Sequence, residues 1–257
     1  MSKITGLITG IIKNGCEQLS SSVQLSAMRA PTDNEQIIKN EWYSDTASGE
    51  NLEKVFTKTY ECTSANNVIT VKGSLAGISR MPFLRYTLTY TFFGNGEVKI
   101  SLLGDIREKC VWLPRLGFEF KTPYSKDHFK YFGMGDLENY IDMNSHAKMG
   151  MYQSDADSQY VNYIMPQEHG NHTKTKLLYM ENGLKFTTDT YFEFNVSHYS
   201  SFDLMKATHI DELVKSKDTI IRIDYKNSGI GSASCGTSLL DKYKLSEKHI
   251  DFSFYIA

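Results

Sequence analysis

Residues 84 to 103 read LRYTLTYTFFGNGEVKISLL, and their pattern decides the fold class. Leu84, Tyr86, Leu88, Tyr90 and Phe92 alternate with Arg85, Thr87, Thr89 and Thr91, so an extended chain here has one apolar and one polar face. That is the signature of a strand half-buried in a sheet. Gly94-Asn95-Gly96 then supplies turn chemistry that returns the chain into EVKISLL. Moving outward, aromatic and β-branched residues alternate again at 115 to 120, 176 to 180, 184 to 196, 219 to 225 and 249 to 256. Residues 4 to 12 and 23 to 28 read as short strands around the turn pair Asn14-Gly15. Helical signals are brief. Asn34 is a cap for a short helix carrying Ile37, Ile38 and Trp42, and Ser200 or Ser201 caps a second at 201 to 209 with Asp203 in its first turn. With no βαβ alternation and no internal repeat, the pattern predicts an all-β chain, a large antiparallel two-sheet sandwich with one or two short helices, as one domain over 1–257.

At 257 residues the chain can bury one large core. Charged residues make up 23%, the formal net charge is −2, and Lys and Arg are scattered, which excludes the basic footprint of a nucleic-acid or anionic-lipid binder. No stretch approaches the roughly 18 apolar residues of a membrane span. The opening MSKITGLITGIIKNG is interrupted by Gly6, Gly10 and threonines and lacks a signal-peptide cleavage pattern. Cys16, Cys62, Cys110 and Cys235 form no CxxC, which suits reduced thiols in a cytoplasmic protein.

The candidate site residues cluster in 131 to 173, a long polar stretch with little hydrophobic period, read as a loop. Its aromatics beside amides, carboxylates and imidazoles are the materials of a sugar site, where hydroxyls need donors and acceptors and the ring face needs a flat surface. Glu138, Asn139 and Tyr140 follow a Gly-x-Gly turn and can serve a sugar hydroxyl, a partner domain or their own loop's backbone. A dinucleotide reading of this turn fails for want of a parallel strand before it and a helix after it. Glu168, His169, Asn171 and His172 form the densest polar cluster. Metal ligation by His169 and His172 needs a helix that Pro166 and Gly170 oppose. Proton exchange between Glu168, His172 and a sugar is a second reading, and pinning of the loop end is a third. Arg29, Asp33 and Asn34 in RAPTDN suit an ion pair and an Asx turn, or an interface. The small-residue run Gly229 to Gly236 permits close approach of a ligand.

Five collinear blocks carry a family resemblance. They are RAPTDN at 29–34, LPRLG at 113–117, the 131–173 segment with its GMG, ENY and PQEHGNHT, FNVSHY at 194–199, and GIGSASCG at 229–236. In this order they resemble the C-terminal small-chain domain of the large lactose-type β-galactosidases of glycoside hydrolase family 2. The resemblance implies a galactose mutarotase-like supersandwich and an accessory role, packing on a catalytic barrel or large subunit and helping to wall the pocket for galactosides such as lactose. In the resembled enzymes the catalytic glutamates lie on the barrel, and neither motif is present here. The resemblance further implies Mg and Na or K ions for the whole enzyme and no cofactor held by this chain. Some of those enzymes place an aromatic wall shortly before the strand matching Tyr191 to Ser197; Phe186 is the residue nearest that place, and with Leu184 it also reads as a core residue of an alternating strand. Because the similarity begins almost at Met1, an excised fragment is expected, with the small subunit of a two-chain enzyme as a close variant. No spacing in the sequence fixes the pair of carboxyl groups that glycoside hydrolysis requires, so the chain alone is expected to be inactive. Two rivals stand beside this reading: a free-standing aldose mutarotase or epimerase using His172 and Glu168, and a purely structural interface module.

Overall fold

The hairpin that opens the sequence reading anchors a wide sheet. The structure is a computed structural model describing residues 1–43, 49–124, 127–231 and 237–257. Strands β1 (Ile12–Lys13) and β2 (Cys16–Glu17) form a small hairpin on Asn14 and Gly15, both with positive φ. After β3 (Gln24–Ser26) and α1 (Lys39–Tyr43) comes an antiparallel meander of β4 (Val55–Ala65), β5 (Val68–Gly77), β6 (Leu84–Phe92) and β7 (Val98–Ile106). The remaining elements are β8 (Arg115–Pro123), β9 (Phe129–Met134), β10 (Met149–Ser154), β11 (His172–Met180), β12 (Lys185–Ser197), α2 (Ser201–Lys206), β13 (Asp218–Asn227) and β14 (His249–Ile256).

The strands form two layers joined through β12. One layer runs β10-β9-β11-β12-β14-β7-β6-β5-β4, while the far end of β12 pairs with β13, which continues to β8 and β3. Phe186 and Thr187 of β12 pair with β14, whereas Glu193 to Ser197 pair with β13. Between the layers lie aromatic rings. Phe120 of β8 meets Phe186 at 5.1 Å between centroids, and Phe118 meets Phe254 of β14 at 5.5 Å. All four are buried. The chain is therefore the all-β antiparallel supersandwich that the alternation and the resemblance predicted, with two short α-helices among its described residues.

Several local expectations change. Residues 4 to 12 do not form a long strand: Gly6 has positive φ and only Ile12–Lys13 enters the small hairpin. The cap of the 33–35 turn is Thr32, whose backbone N–H donates to Glu35, while the side chain of Asn34 donates to the carbonyls of Ile230 (3.1 Å) and Gly231 (2.5 Å). Helix α2 starts at the expected Ser200 cap but ends at Lys206, short of His209. The 131–173 segment is not all loop. Its start lies in β9 and its middle forms β10, with Tyr131 facing inward and Phe132 outward. Glycines at 133 and 150 hide that period from a hydrophobicity count. Strand β4, mostly exposed, was not distinguished in the sequence. The expected connection after Tyr43 and the 232–236 part of the small-residue loop lie largely outside the described residues.

Removing a ring from the inter-layer stack tests this architecture. Phe254→Ala is expected to cost roughly 3–5 kcal/mol in urea unfolding, against about 0.5 kcal/mol or less for the half-exposed Leu103→Ala on the outer face.

Candidate functional site

Strands β8, β12 and β13 turn Phe118, Phe120, Phe194, Val196, Ile221 and Ile223 toward the other layer. Period-two geometry then sends Glu119, Glu193, Asn195, Arg222 and Asp224 to the opposite face. That face would be wet in a simple sandwich. Here it is roofed, and Glu193, Asn195, Arg222 and Asp224 are buried. The roof is made by the segments that carried the resemblance: 29–35, 135–147, 159–173 and 227–231.

Hydrogen bonds knit these segments to one another. Arg29, fully buried, donates Nη1 to the carbonyl of Ser228 (2.5 Å) and Nη2 to that of Gly229 (2.9 Å), and pairs with the Glu35 carboxylate. The backbone N–H of Asp33 donates to Gln167 Oε1 at 2.7 Å. Asp142 accepts from the N–H groups of Ile230 (3.1 Å) and Gly231 (2.8 Å). A Cβ on Gly229 would come within 2.5 Å of that carboxyl group, so only glycine lets the strand end pass under it. Glu138 accepts from Tyr163 Oη (2.5 Å) and the Gly170 N–H (2.7 Å). Asn139, with no exposed surface, donates to the carbonyls of Met134 and Leu137 and accepts from the backbone and hydroxyl of Thr173. Asn171 Nδ2 donates to the Asn139 carbonyl at 3.0 Å and to Glu193 Oε2 at 2.8 Å, tying roof to floor.

The floor is a network of buried ions. Arg115 Nη2 pairs with Asp224 at 2.9 Å. A Cβ at Gly117, directly across the ladder, would meet Asp224 Oδ1 at 2.0 Å, so a residue without a side chain is required there. Arg222 lies between Glu119 (3.6 Å) and Glu168 (3.8 Å) and donates to Asn195 Oδ1 at 3.2 Å. Tyr140 is buried with its hydroxyl unpaired, and burial together with the Glu168 and Glu138 carboxylates holds the phenol protonated, well above its ordinary range. Glu193 and Asp224 are cross-strand neighbours, and Asn227 Nδ2 reaches both carboxyl groups, at 3.3 and 3.1 Å. Asp224 has Arg115, whereas Glu193 is met by amide donors, and burial pushes its carboxyl up to about 7.

The structure thus brings Arg29, Asp33, Asn34, Glu138, Asn139, Tyr140, Glu168 and Asn171 to one junction. His172 stands beside it, enclosed, with Nε2 donating to Gln159 Oε1 at 2.6 Å and its ring stacked on Phe194. Burial lowers its proton affinity to a pKa of about 4. Phe186 is not at the junction; it belongs to the core between Phe120 and Phe254. His169 bonds Gln167 and His172 bonds Gln159, so the two imidazoles serve different partners. Among the described residues no three His, Cys, Asp or Glu side chains gather as a metal site. Sequence reading missed Glu35, Arg115, Glu119, Glu193, Arg222 and Asp224. Charges inside the otherwise apolar run TIIRID were the available signal, since a strand with both faces buried tolerates them only when paired.

Beside the junction is a cavity of about 280 Å³ lined by Asn34, Glu35, Ile37, Trp112, Gly229 and Lys244. Apolar side chains stand out around it and on the neighbouring loop, with Ile37 78%, Ile164 94% and Leu240 56% exposed.

A family model described as the β-galactosidase small chain matches residues 1–256. A β-galactosidase of Actinobacillus pleuropneumoniae is 31% identical over 258 residues, covering 99% of this chain and 25% of that protein. One of Staphylococcus xylosus is 30% identical, covering 98% of this chain and 26% of its own length. The chain therefore spans about a quarter of the length of these relatives. Among solved structures, a GalM/aldose epimerase homologue from C. elegans aligns with 99% of this chain and 80% of its own at a TM-score of 0.42 and 9% identity.

The Glu193 carboxyl gives the junction a measurable pH signature. Its raised pKa means that the protonated form favours the fold below the ordinary value of 4.5, and that this contribution is lost as pH rises through about 7. Glu193→Gln, which keeps the neutral shape, is expected to gain stability relative to the parent across that window, by a few kcal/mol at most. Urea unfolding of both proteins at a series of pH values checks it.

Proposed function

That the chain belongs to the β-galactosidase small-chain family is the premise from which we propose its role: an accessory domain that docks its loop junction on a separate catalytic part and helps wall a galactoside pocket. The proposed whole enzyme releases terminal β-D-galactose from substrates such as lactose, with the catalytic barrel or large subunit supplying the acid and the nucleophile. One observation carries the reading. The blocks scattered along the sequence converge on one rigid junction whose polar groups bond inward, while isoleucine and leucine side chains stand exposed beside it. Exposed apolar side chains at the edge of a site whose polar groups bond inward suit a docking face.

The carboxylates of the junction are committed to holding it. Glu138 accepts from Tyr163 and Gly170, Asp142 from two backbone N–H groups, and Glu35 from Arg29. Proton exchange by His172 at a sugar ring is disfavoured too. Its imidazole is enclosed, hydrogen-bonded to Gln159, and held neutral by burial. A cytoplasmic setting forms part of the proposal, supported by the free, exposed thiols of Cys16 and Cys62. The Mg and Na or K ions that the family resemblance implies for the whole enzyme are proposed to belong to the catalytic part.

Assay with a chromogenic β-galactoside tests the role. The purified chain is expected to show no turnover, and addition of the missing catalytic part to restore it. Ile37→Asp combined with Ile164→Asp is expected to raise the chain concentration needed for half-maximal rescue by about tenfold or more, with the fold intact by circular dichroism. Turnover by the chain alone, or rescue indifferent to both substitutions, would overturn the proposal.

A further inference from the structure

A second and larger concavity, of about 620 Å³, lies outside the junction on the far part of the first layer, with His128, Lys130, Gln153, Asp155, Tyr179 and Glu181 among its lining. Its floor is a cross-strand row. Gln153 of β10 faces Lys130 of β9, which faces Tyr179 of β11. Side chains in one row of a sheet stand side by side at about 5 Å, so an amide, an ammonium and a phenol ring are presented together to solvent.

We propose that this cleft binds a neutral saccharide, a single ring or a short oligosaccharide, with Tyr179 as the stacking surface and Lys130 and Gln153 as hydroxyl partners. The first support is free bonding capacity. Among the described residues, the Lys130 ammonium, the Gln153 amide and the Tyr179 hydroxyl have no hydrogen-bond, ion-pair or ring partner within the chain. The Tyr179 ring is 45% exposed. A flat ring beside paired donors and acceptors matches a sugar, which offers an apolar face and a rim of hydroxyls.

The second support is a fixed rim. His198, buried, places Nδ1 at 2.9 Å from Asp157 and Nε2 at 3.5 Å from Asp127, and its ring stacks on Tyr124 at 4.1 Å. Lys215 closes on both Asp157 oxygens at 2.7 Å. This clamp joins Asp127, which precedes β9, to the turn after β10. In that second turn Asp155 accepts from the backbone and hydroxyl of Ser158, at 2.8 and 2.7 Å. Both walls of the cleft are therefore held before any ligand arrives, which lowers the ordering cost of binding. Charge selects the class. Lys130 is opposed by Asp155 and Glu181, so neither a polyanion nor a polycation is matched, while a neutral polyol finds donors and acceptors together. The volume lies within the range of about 300–1,000 Å³ typical of small-molecule sites.

The inference rests on the cleft and not on docking at the junction. Saturation-transfer NMR on the full chain with methyl β-D-galactoside, lactose and cellobiose tests it. At least one probe is expected to bind with a millimolar dissociation constant. Tyr179→Ala is expected to weaken it about tenfold, Gln153→Ala to a lesser degree, and Tyr179→Phe to retain most of the affinity because the ring remains. Circular dichroism reports whether each variant folds. Absence of transfer from all three probes at tens of millimolar overturns the proposal. So does transfer that Tyr179→Ala leaves unchanged, or that is lost only on Ile37→Asp and Ile164→Asp.

Discussion

Three guanidinium groups, on Arg29, Arg115 and Arg222, are taken almost wholly out of water on the outer face of one sheet. Removing such ions from water costs several kcal/mol each, even after relaxation, unless carboxylates and carbonyls replace the hydration. The chain meets that demand from distant places: Glu35 from the N-terminal turn, Glu168 from the long segment, Asp224 from the neighbouring strand, and the carbonyls of Ser228 and Gly229 from the strand end. Each acceptor fixes the loop that carries it. The geometry of the junction is thus a consequence of charge burial, and losing Asp224, the carboxylate paired with Arg115, would leave an uncompensated ion beneath the others.

The division between apolar and polar faces explains how much could be read from the sequence. Strands with one wet face show a clean period of two, and β6, β7 and β14 appear almost at their observed bounds. On β13 the period of two is visible, with Ile221 and Ile223 on one side and Arg222 and Asp224 on the other, but the charged side reads as a wet face although it is buried. The strand was therefore legible while the floor of the junction went unread. Short β1 and exposed β4 were obscured for the opposite reason: little of either is buried. Roof residues were easier to find. Glu138, Asn139, Glu168 and Asn171 are polar residues in an irregular segment, and the family resemblance had already drawn attention to them. What could not be read was the direction in which they point. Residue type says that an amide will find partners, and only the fold decides whether those partners are backbone, floor or ligand.

Phe186 and His172 show the same limit from the apolar side. The family resemblance made Phe186 a candidate pocket wall, beside its reading as a core residue. Register with β14 turns its ring between Phe120 and Phe254, as the core reading has it. His172 begins β11 opposite Phe194, so its ring stacks inward and the polar cluster to which it belongs in sequence divides in space. A shift of one residue in a strand exchanges core for surface, and no composition argument carries that information.

The arrangement of acids also bears on what kind of partner this domain can be. A carboxylate that acts on substrate needs an open approach and a proton affinity set for exchange. Here Glu138 and Asp142 are locked by donors, Glu168 lies beside Arg222, and Glu193, whose carboxyl burial pushes up to about 7, is covered by Asn171 and Asn227. Freeing any of them for chemistry would dismantle the support of the loops that make the junction. A stiff face that has committed its acids to its own shape can position a neighbouring surface, exclude water from it and close one side of a pocket. The exposed isoleucines beside it fit the proposed docking of another surface.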